Sequence, residues 1–140
     1  MKKILFLALA SLFLLNGIEA RAQRIENSSR STIAYIQADG RIENSSRSTI
    51  GYFNGERVEN RSRSTVGYIQ SDGRFEDASR STVGYFNGER VENRSRSTIG
   101  YVHDGRVENA SRSTIGYYSG VKAEWVAYYF FFMICVLFSR

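Results

Sequence analysis

The sequence predicts an all-β repeat fold: a closed up-and-down antiparallel barrel of about twelve short strands, six hairpin petals, with a hydrophobic C-terminal helix threading it. Three observations predict it. A unit of 16 or 17 residues recurs six times, each copy carries two strand-like runs divided by turn residues, and the array begins and ends on complementary half-units.

The chain opens on a leader. Lys2 and Lys3 precede an almost unbroken apolar run over residues 4–15, and Ala20-Arg21-Ala22 places small residues at −3 and −1 of a cut before Gln23. This is the pattern of a secretory signal peptide over residues 1–22, its apolar run too short for a spanning helix. Removing it takes the basic residues from 19 to 16 and the acidic ones from 14 to 13, so the mature net charge is +3 rather than +5. Acidic residues recur in every repeat, which leaves no basic stripe for nucleic acid. The lone Cys135 excludes an intrachain disulfide framework and sits in the apolar tail as a small hydrophobe.

Residues 23–121 hold the repeats. Arg24-Ile25-Glu26-Asn27 recurs from Arg41, Arg57, Arg74, Arg90 and Arg106, at steps of 17, 16, 17, 16 and 16. Ser31-Thr32-Ile33-Ala34-Tyr35 recurs from Ser48, Ser64, Ser81, Ser97 and Ser113, and Lys122-Ala123-Glu124 is a degraded seventh start. Runs such as Thr98-Ile99-Gly100-Tyr101-Val102 mix β-branched and aromatic residues at strand length. Asn54-Gly55, Asp72-Gly73, Asn87-Gly88 and Asp104-Gly105 supply hairpin turns, and the one-residue variation in period falls there, where loop length is tolerated.

Two registers are open. A three-residue loop at Asp104-Gly105 pairs Tyr101 with Val107. It gathers Ile99, Tyr101 and Val107 on an apolar face, with Thr98, Gly100, Arg106 and Glu108 on a wet one. A two-residue type I′ turn at Asn87-Gly88 pairs Gly84 with Val91 and mixes the faces. The clean split favours the first.

An open twelve-stranded sheet would leave two edges. The array starts on the lone strand Arg24-Ile25-Glu26-Asn27 and ends on the lone run 113–118, halves of one hairpin that close the ring when they pair. Residues 122–140 follow as an apolar helix. Its run over residues 125–138 is about 21 Å long as an α-helix, short of the roughly 30 Å of a bilayer core. A barrel of twelve strands has a backbone radius near about 12 Å, room for one helix. The expectation is that the tail plugs the barrel; a membrane anchor with Trp125, Tyr128 and Tyr129 at one interface is the alternative.

The run R-[VI]-E-N-x-S-R-S-T-[IV]-G-Y with its D-G or N-G turn resembles the β-flower repeat proteins over residues 24–118. The resemblance implies a shallow symmetric barrel of hairpin petals, in some members with a hydrophobic C-terminal helix, and implies no activity or functional residue. The group is described as five-fold, whereas six units are counted here. In fold alone the expected architecture is also similar to tubby-like and scramblase-like barrels with a central helix.

No catalytic, cofactor-binding or metal-binding residues are assigned, and ligand-binding residues stay open. His103 is the only histidine and reads as an exposed turn residue. Arg-x-Glu pairs such as Arg90 and Glu92 read as cross-strand ion pairs on the wet face; six near-identical copies argue against a single tuned catalytic pair. Asn27, Asn44, Asn60, Asn93 and Asn109 begin N-x-S triplets, read as turn-forming residues rather than glycan acceptors. The function expected is an exported, non-enzymatic structural or binding module of the cell envelope without cofactor. Rows of Arg, Glu, Thr and Asn would meet envelope glycans. The alternative is a lipid- or membrane-associated barrel using residues 123–138 as anchor or lipid-like plug.

Overall fold

The computed structural model describes residues 23–133; the leader at residues 1–22 and residues 134–140, Cys135 included, lie outside the described residues. Six four-residue strands, β1 (Arg24–Asn27), β3 (Arg41–Asn44), β5 (Arg57–Asn60), β7 (Arg74–Asp77), β9 (Arg90–Asn93) and β11 (Arg106–Asn109), alternate with six of five or six residues. The latter are β2 (Thr32–Ile36), β4 (Thr49–Asn54), β6 (Thr65–Ile69), β8 (Thr82–Phe86), β10 (Thr98–His103) and β12 (Thr114–Ser119). Each strand pairs antiparallel with its neighbours in sequence, and β1 pairs with β12 from Arg24–Ser119 to Asn27–Gly116. The half-units therefore meet as expected, and the barrel has no open edge.

The register differs from both expectations. Tyr101 pairs with Glu108 and Val102 with Val107, while Phe86 pairs with Val91 and Gly84 with Asn93. Asp104 and Gly105 both have positive φ, 49° and 76°, the type I′ pattern, and this two-residue loop brings His103 opposite Arg106. At Asn87-Gly88 the loop is Gly88-Glu89, with only the glycine positive, at 99°. The longer repeats absorb their extra residue as three-residue loops, Gln37 N–H donating to Arg41 O at 2.9 Å and Gln70 N–H to Arg74 O at 2.8 Å. One-residue slips invert faces, and the slip inverts β10 but not β11: Val107 stays inward and Glu108 outward as expected, while Gly100 and Tyr101 exchange faces. Gly100, Val102 and Val107 are core-facing and fully or nearly buried, whereas Tyr101 and Glu108 share the outer face.

Each pairing of an odd strand with the following even strand carries a β-bulge. Between β9 and β10, Glu92 opposes Thr98 and Val91 opposes Gly100, so Ile99 is the extra residue. Ile33, Ile50, Val66, Val83, Ile99 and Ile115 occupy this position and pack, half-buried, against the core. Six evenly placed bulges add local twist and bend, which short strands need to close a ring.

After the ring, Ala123–Tyr128 forms helix α1, continued by a π-helical turn over Tyr129–Met133. Trp125, Val126, Ala127, Tyr128, Phe132 and Met133 join Ile25, Ile42, Phe53, Val58, Phe75, Val91, Val102 and Val107 in one apolar cluster. The space they use is made by the core-facing glycines. A methyl group on Gly67 would collide with Tyr128 Oη, one on Gly84 with Phe132, one on Gly100 with Phe131 and one on Gly116 with Phe130. Phe130, Phe131 and Phe132 thus address three consecutive petals, which stand about 60° apart in a six-petal ring. An α-helix turns about 100° per residue. The wider π turn rotates less per residue and fits the petal spacing better.

Aromatic stacking fixes the helix start. Trp125 lies parallel to Phe53 at 5.0 Å, and Phe75 meets Tyr128 and Phe132 edge-on at 5.3 Å each. Among the described residues no helix is long and apolar enough to cross a membrane. The remainder of the expected helix, and with it any passage through the barrel, falls in residues outside the described ones.

Candidate binding surface on the outer wall

The outer wall repeats one constellation six times, set by the loops that join each odd strand to the next even one. In the first, Asn27 N–H donates to Ser31 O at 2.9 Å and Arg30 N–H to Asn27 O at 3.0 Å, enclosing a three-residue turn. Asn27 Oδ1 also accepts from the backbone N–H of Ser29 and Ser31, each at 3.0 Å. Asn44, Asn60, Asn93 and Asn109 repeat this arrangement, and Asp77 stands in for asparagine in the fourth copy. The N-x-S triplets are therefore turn devices, with the asparagine oxygen as the working group.

The last loop residue takes left-handed backbone geometry, where glycine is the usual choice. Here it is always arginine: Arg30, Arg47, Arg63, Arg80, Arg96 and Arg112, with φ of 67–69°. Two contacts explain the choice. Each guanidinium stacks over an outward tyrosine at 3.5–3.6 Å, respectively Tyr117, Tyr35, Tyr52, Tyr68, Tyr85 and Tyr101. Each also pairs at 3.0–3.6 Å with the glutamate four residues before it. The backbone cost is offset by a stacked cation, worth about 0.5–1 kcal/mol at an exposed site.

A second arginine completes each unit. Arg24, Arg41, Arg57, Arg74, Arg90 and Arg106 open the odd strands and reach the glutamate two residues on at 3.3–3.7 Å. The Arg-x-Glu pairs thus run along one strand rather than across strands. Nor is the glutamate on a wet face: Glu26, Glu43, Glu59, Glu76, Glu92 and Glu108 are only 4–9 % exposed. The arginine side chains above them remain 43–66 % exposed.

Alternate petals add a third donor to the glutamate. Gln37 Nε2 donates to Glu43 at 2.9 Å and Gln70 Nε2 to Glu76 at 2.7 Å, while His103 Nε2 lies 2.8 Å from Glu108 Oε1. His103 is accordingly the last residue of β10, with 22 % of its side chain exposed, rather than an exposed turn residue. The bond to Glu108 raises its pKa, and the same bond lowers that of Glu108. The Gln37 bond holds Glu43 below the ordinary carboxylate value against the opposing effect of burial. Burial pushes the Tyr128 hydroxyl, which has no hydrogen-bond partner among the described residues, well above the ordinary tyrosine range.

Chemically, the wall offers arginine. The six strand glutamates are covered, the exposed Glu89 pairs with Arg112 at 3.6 Å, asparagine oxygens serve the turns, and the outward tyrosine faces lie under guanidinium groups. Among the described residues no group of three or more His, Cys, Asp or Glu is placed to hold a metal ion. The grooves between petals are shallow; the one holding Arg74, Tyr85 and Arg96 encloses about 260 Å³. Sequence reasoning placed Arg, Glu, Thr and Asn together on the exposed rows but did not find the arginine–tyrosine stacks, for which six-fold recurrence of an S-R-S loop was the available signal. A family model described as "5-fold beta-flower protein" matches residues 22–134. No curated protein and no solved structure matches the chain.

Proposed function

The chain belongs to the 5-fold beta-flower family, and on that footing we propose that it is an exported, non-enzymatic binding ring of the cell envelope. Its ring has five hairpins closed by Gly-containing turns and a sixth petal assembled from β1 and β12. The observation that carries the reading is the six-fold repetition of one outward constellation, Arg–Tyr–Arg–Glu, on a closed rigid frame. Repeated equal sites turn weak single contacts into avidity when the partner is itself a repeating polymer. Catalysis needs one environment that differs from its neighbours. The wall is built the other way, each glutamate under two arginines. Export is supported by the leader pattern of residues 1–22.

The lipid-associated alternative draws less support. Of the aromatic residues it would place at a membrane interface, Trp125 and Tyr128 are buried and Tyr129 is partly buried against the same core. A barrel plugged by its own C-terminal helix accounts for that burial and for the glycines opposite each ring.

Expression of the full chain in a host with a secretory pathway tests the proposal. Processing after Ala22, recovery outside the cytoplasm, and co-sedimentation with isolated envelope fragments that salt reverses are expected. An unprocessed cytoplasmic chain, or one that stays in the supernatant with those fragments, overturns it.

A further inference from the structure

We propose that the outer wall binds an acidic polysaccharide, whose anionic groups are read by the two arginines that flank each outward tyrosine. This deepens the binding-ring reading above and rests on it. Twelve arginines surround six covered glutamates on the wall, two cations to each carboxylate, and in one petal the exposed Glu89 adds a second carboxylate at 3.6 Å from Arg112. The glutamates are buried beneath, so a ligand meets guanidinium groups that are about half exposed and already fixed in place by stacking and ion pairing. A guanidinium presents several N–H donors in a planar fork, and each ion pair with glutamate occupies only part of it. The free donors suit carboxylate, sulfate or phosphate esters.

The groove between β7 and β8 shows the arrangement. Arg74 and Arg96 stand on either side of Tyr85, Thr82 lies at one end, and Asp72 and Asn87 border the other. Arg74 pairs with Tyr85 across the strands and Arg96 covers its ring at 3.5 Å. Asp72 is turned to its own loop, its Oδ1 accepting from Arg74 N–H at 3.1 Å. Equivalent arginines recur every second strand, their backbones about 12 Å apart around a ring of about 12 Å radius. A polymer with one acidic group per such interval engages several petals at once.

One feature selects among polymers. Neutral sugars bind proteins by stacking on open aromatic faces, and the six outward tyrosines have theirs covered. The same covering removes the stacking platforms on which single-stranded nucleic acids rest. What remains in the open is charge at regular intervals.

The test measures retention of the full chain on dextran sulfate, unmodified dextran and single-stranded DNA at low ionic strength, with isolated envelope fragments alongside. Retention on dextran sulfate alone is expected, weakening with salt and with about tenfold lower affinity in Arg41→Gln/Arg74→Gln. That variant leaves the six stacked loop arginines in place, and Arg61→Gln, an exposed loop residue that takes no part in the stacks or ion pairs, serves as the control with unchanged retention. Equal retention on dextran, or equal or tighter retention on DNA, overturns the inference. So does unchanged affinity in the double variant with an unchanged melting profile. Binding to envelope fragments that dextran sulfate fails to displace overturns the acidic class and leaves the ring reading standing; binding to nothing overturns both.

Discussion

Arg96 lies over Tyr85 with its guanidinium carbon 3.5 Å from the ring centroid, held there from a backbone φ of 68°. Left-handed geometry disfavours arginine by about 1–2 kcal/mol relative to the right-handed form. The stack and the pair to Glu92 at 3.2 Å hold it in place.

Substitutions at an equivalent loop position separate these effects. Arg63→Ala keeps the strained backbone and loses Tyr52 and Glu59, so it should destabilise by about 1 kcal/mol. Arg63→Gly loses the same contacts but relieves the backbone, and should fall within about 0.5 kcal/mol of the parent. Chemical denaturation measures both; equal losses would show that the loop carries no strain.

The core-facing glycines should differ by what stands opposite. Gly84→Ala drives a methyl group into Phe132 and should cost about 1–3 kcal/mol by overpacking. Gly51 faces no helix aromatic among the described residues; a methyl group there would crowd only the Glu59 backbone oxygen, at 2.7 Å, and its counterpart in the first repeat is already Ala34, fully buried. Gly51→Ala, which meets backbone but no ring, should therefore cost less than Gly84→Ala. In a Phe132→Ala background the cost of Gly84→Ala should shrink, which a double-mutant cycle reads directly.

His103 gives the stability a pH dependence. Its bond to Glu108 raises it above the ordinary 6.5, so its contribution is complete below that value and is lost as pH rises through the raised one. Glu108 lies below the ordinary 4.5, so its contribution is present above that value and is lost as pH falls through the lowered one. Stability from this pair is thus greatest between the two. His103→Gln copies Gln37 and Gln70, which keep the bond without titrating. Melting followed from about pH 6 to about pH 9 should fall for the parent and stay flatter for the variant; parallel curves would remove His103 from the explanation.

Ring, strand count and closure were legible because each lies in local pattern: turn residues at fixed offsets, and half-units at the two ends. Register was not. Tyr101 reads as apolar and Gly100 as neutral, which puts the tyrosine inside; the structure does the reverse, because Gly100 makes room for Phe131 while Tyr101 packs beneath Arg112. Both reasons involve partners distant in sequence or in an adjacent petal. The bulges at Ile99 and its equivalents were hidden for a related cause, since a single β-branched residue between Thr98 and Gly100 looks like any strand residue. The buried glutamates were misread as wet because arginine was taken as their neighbour across strands rather than their cover.

Ring and helix meet as one core, and removing residues 123–140 tests that most directly. The truncated chain should lose its single cooperative melting transition and bind an apolar dye, because Trp125, Tyr128 and Phe132 no longer fill the space against Phe53, Phe75 and the glycine row. A soluble truncated ring that melts cooperatively near the full-length midpoint would contradict it.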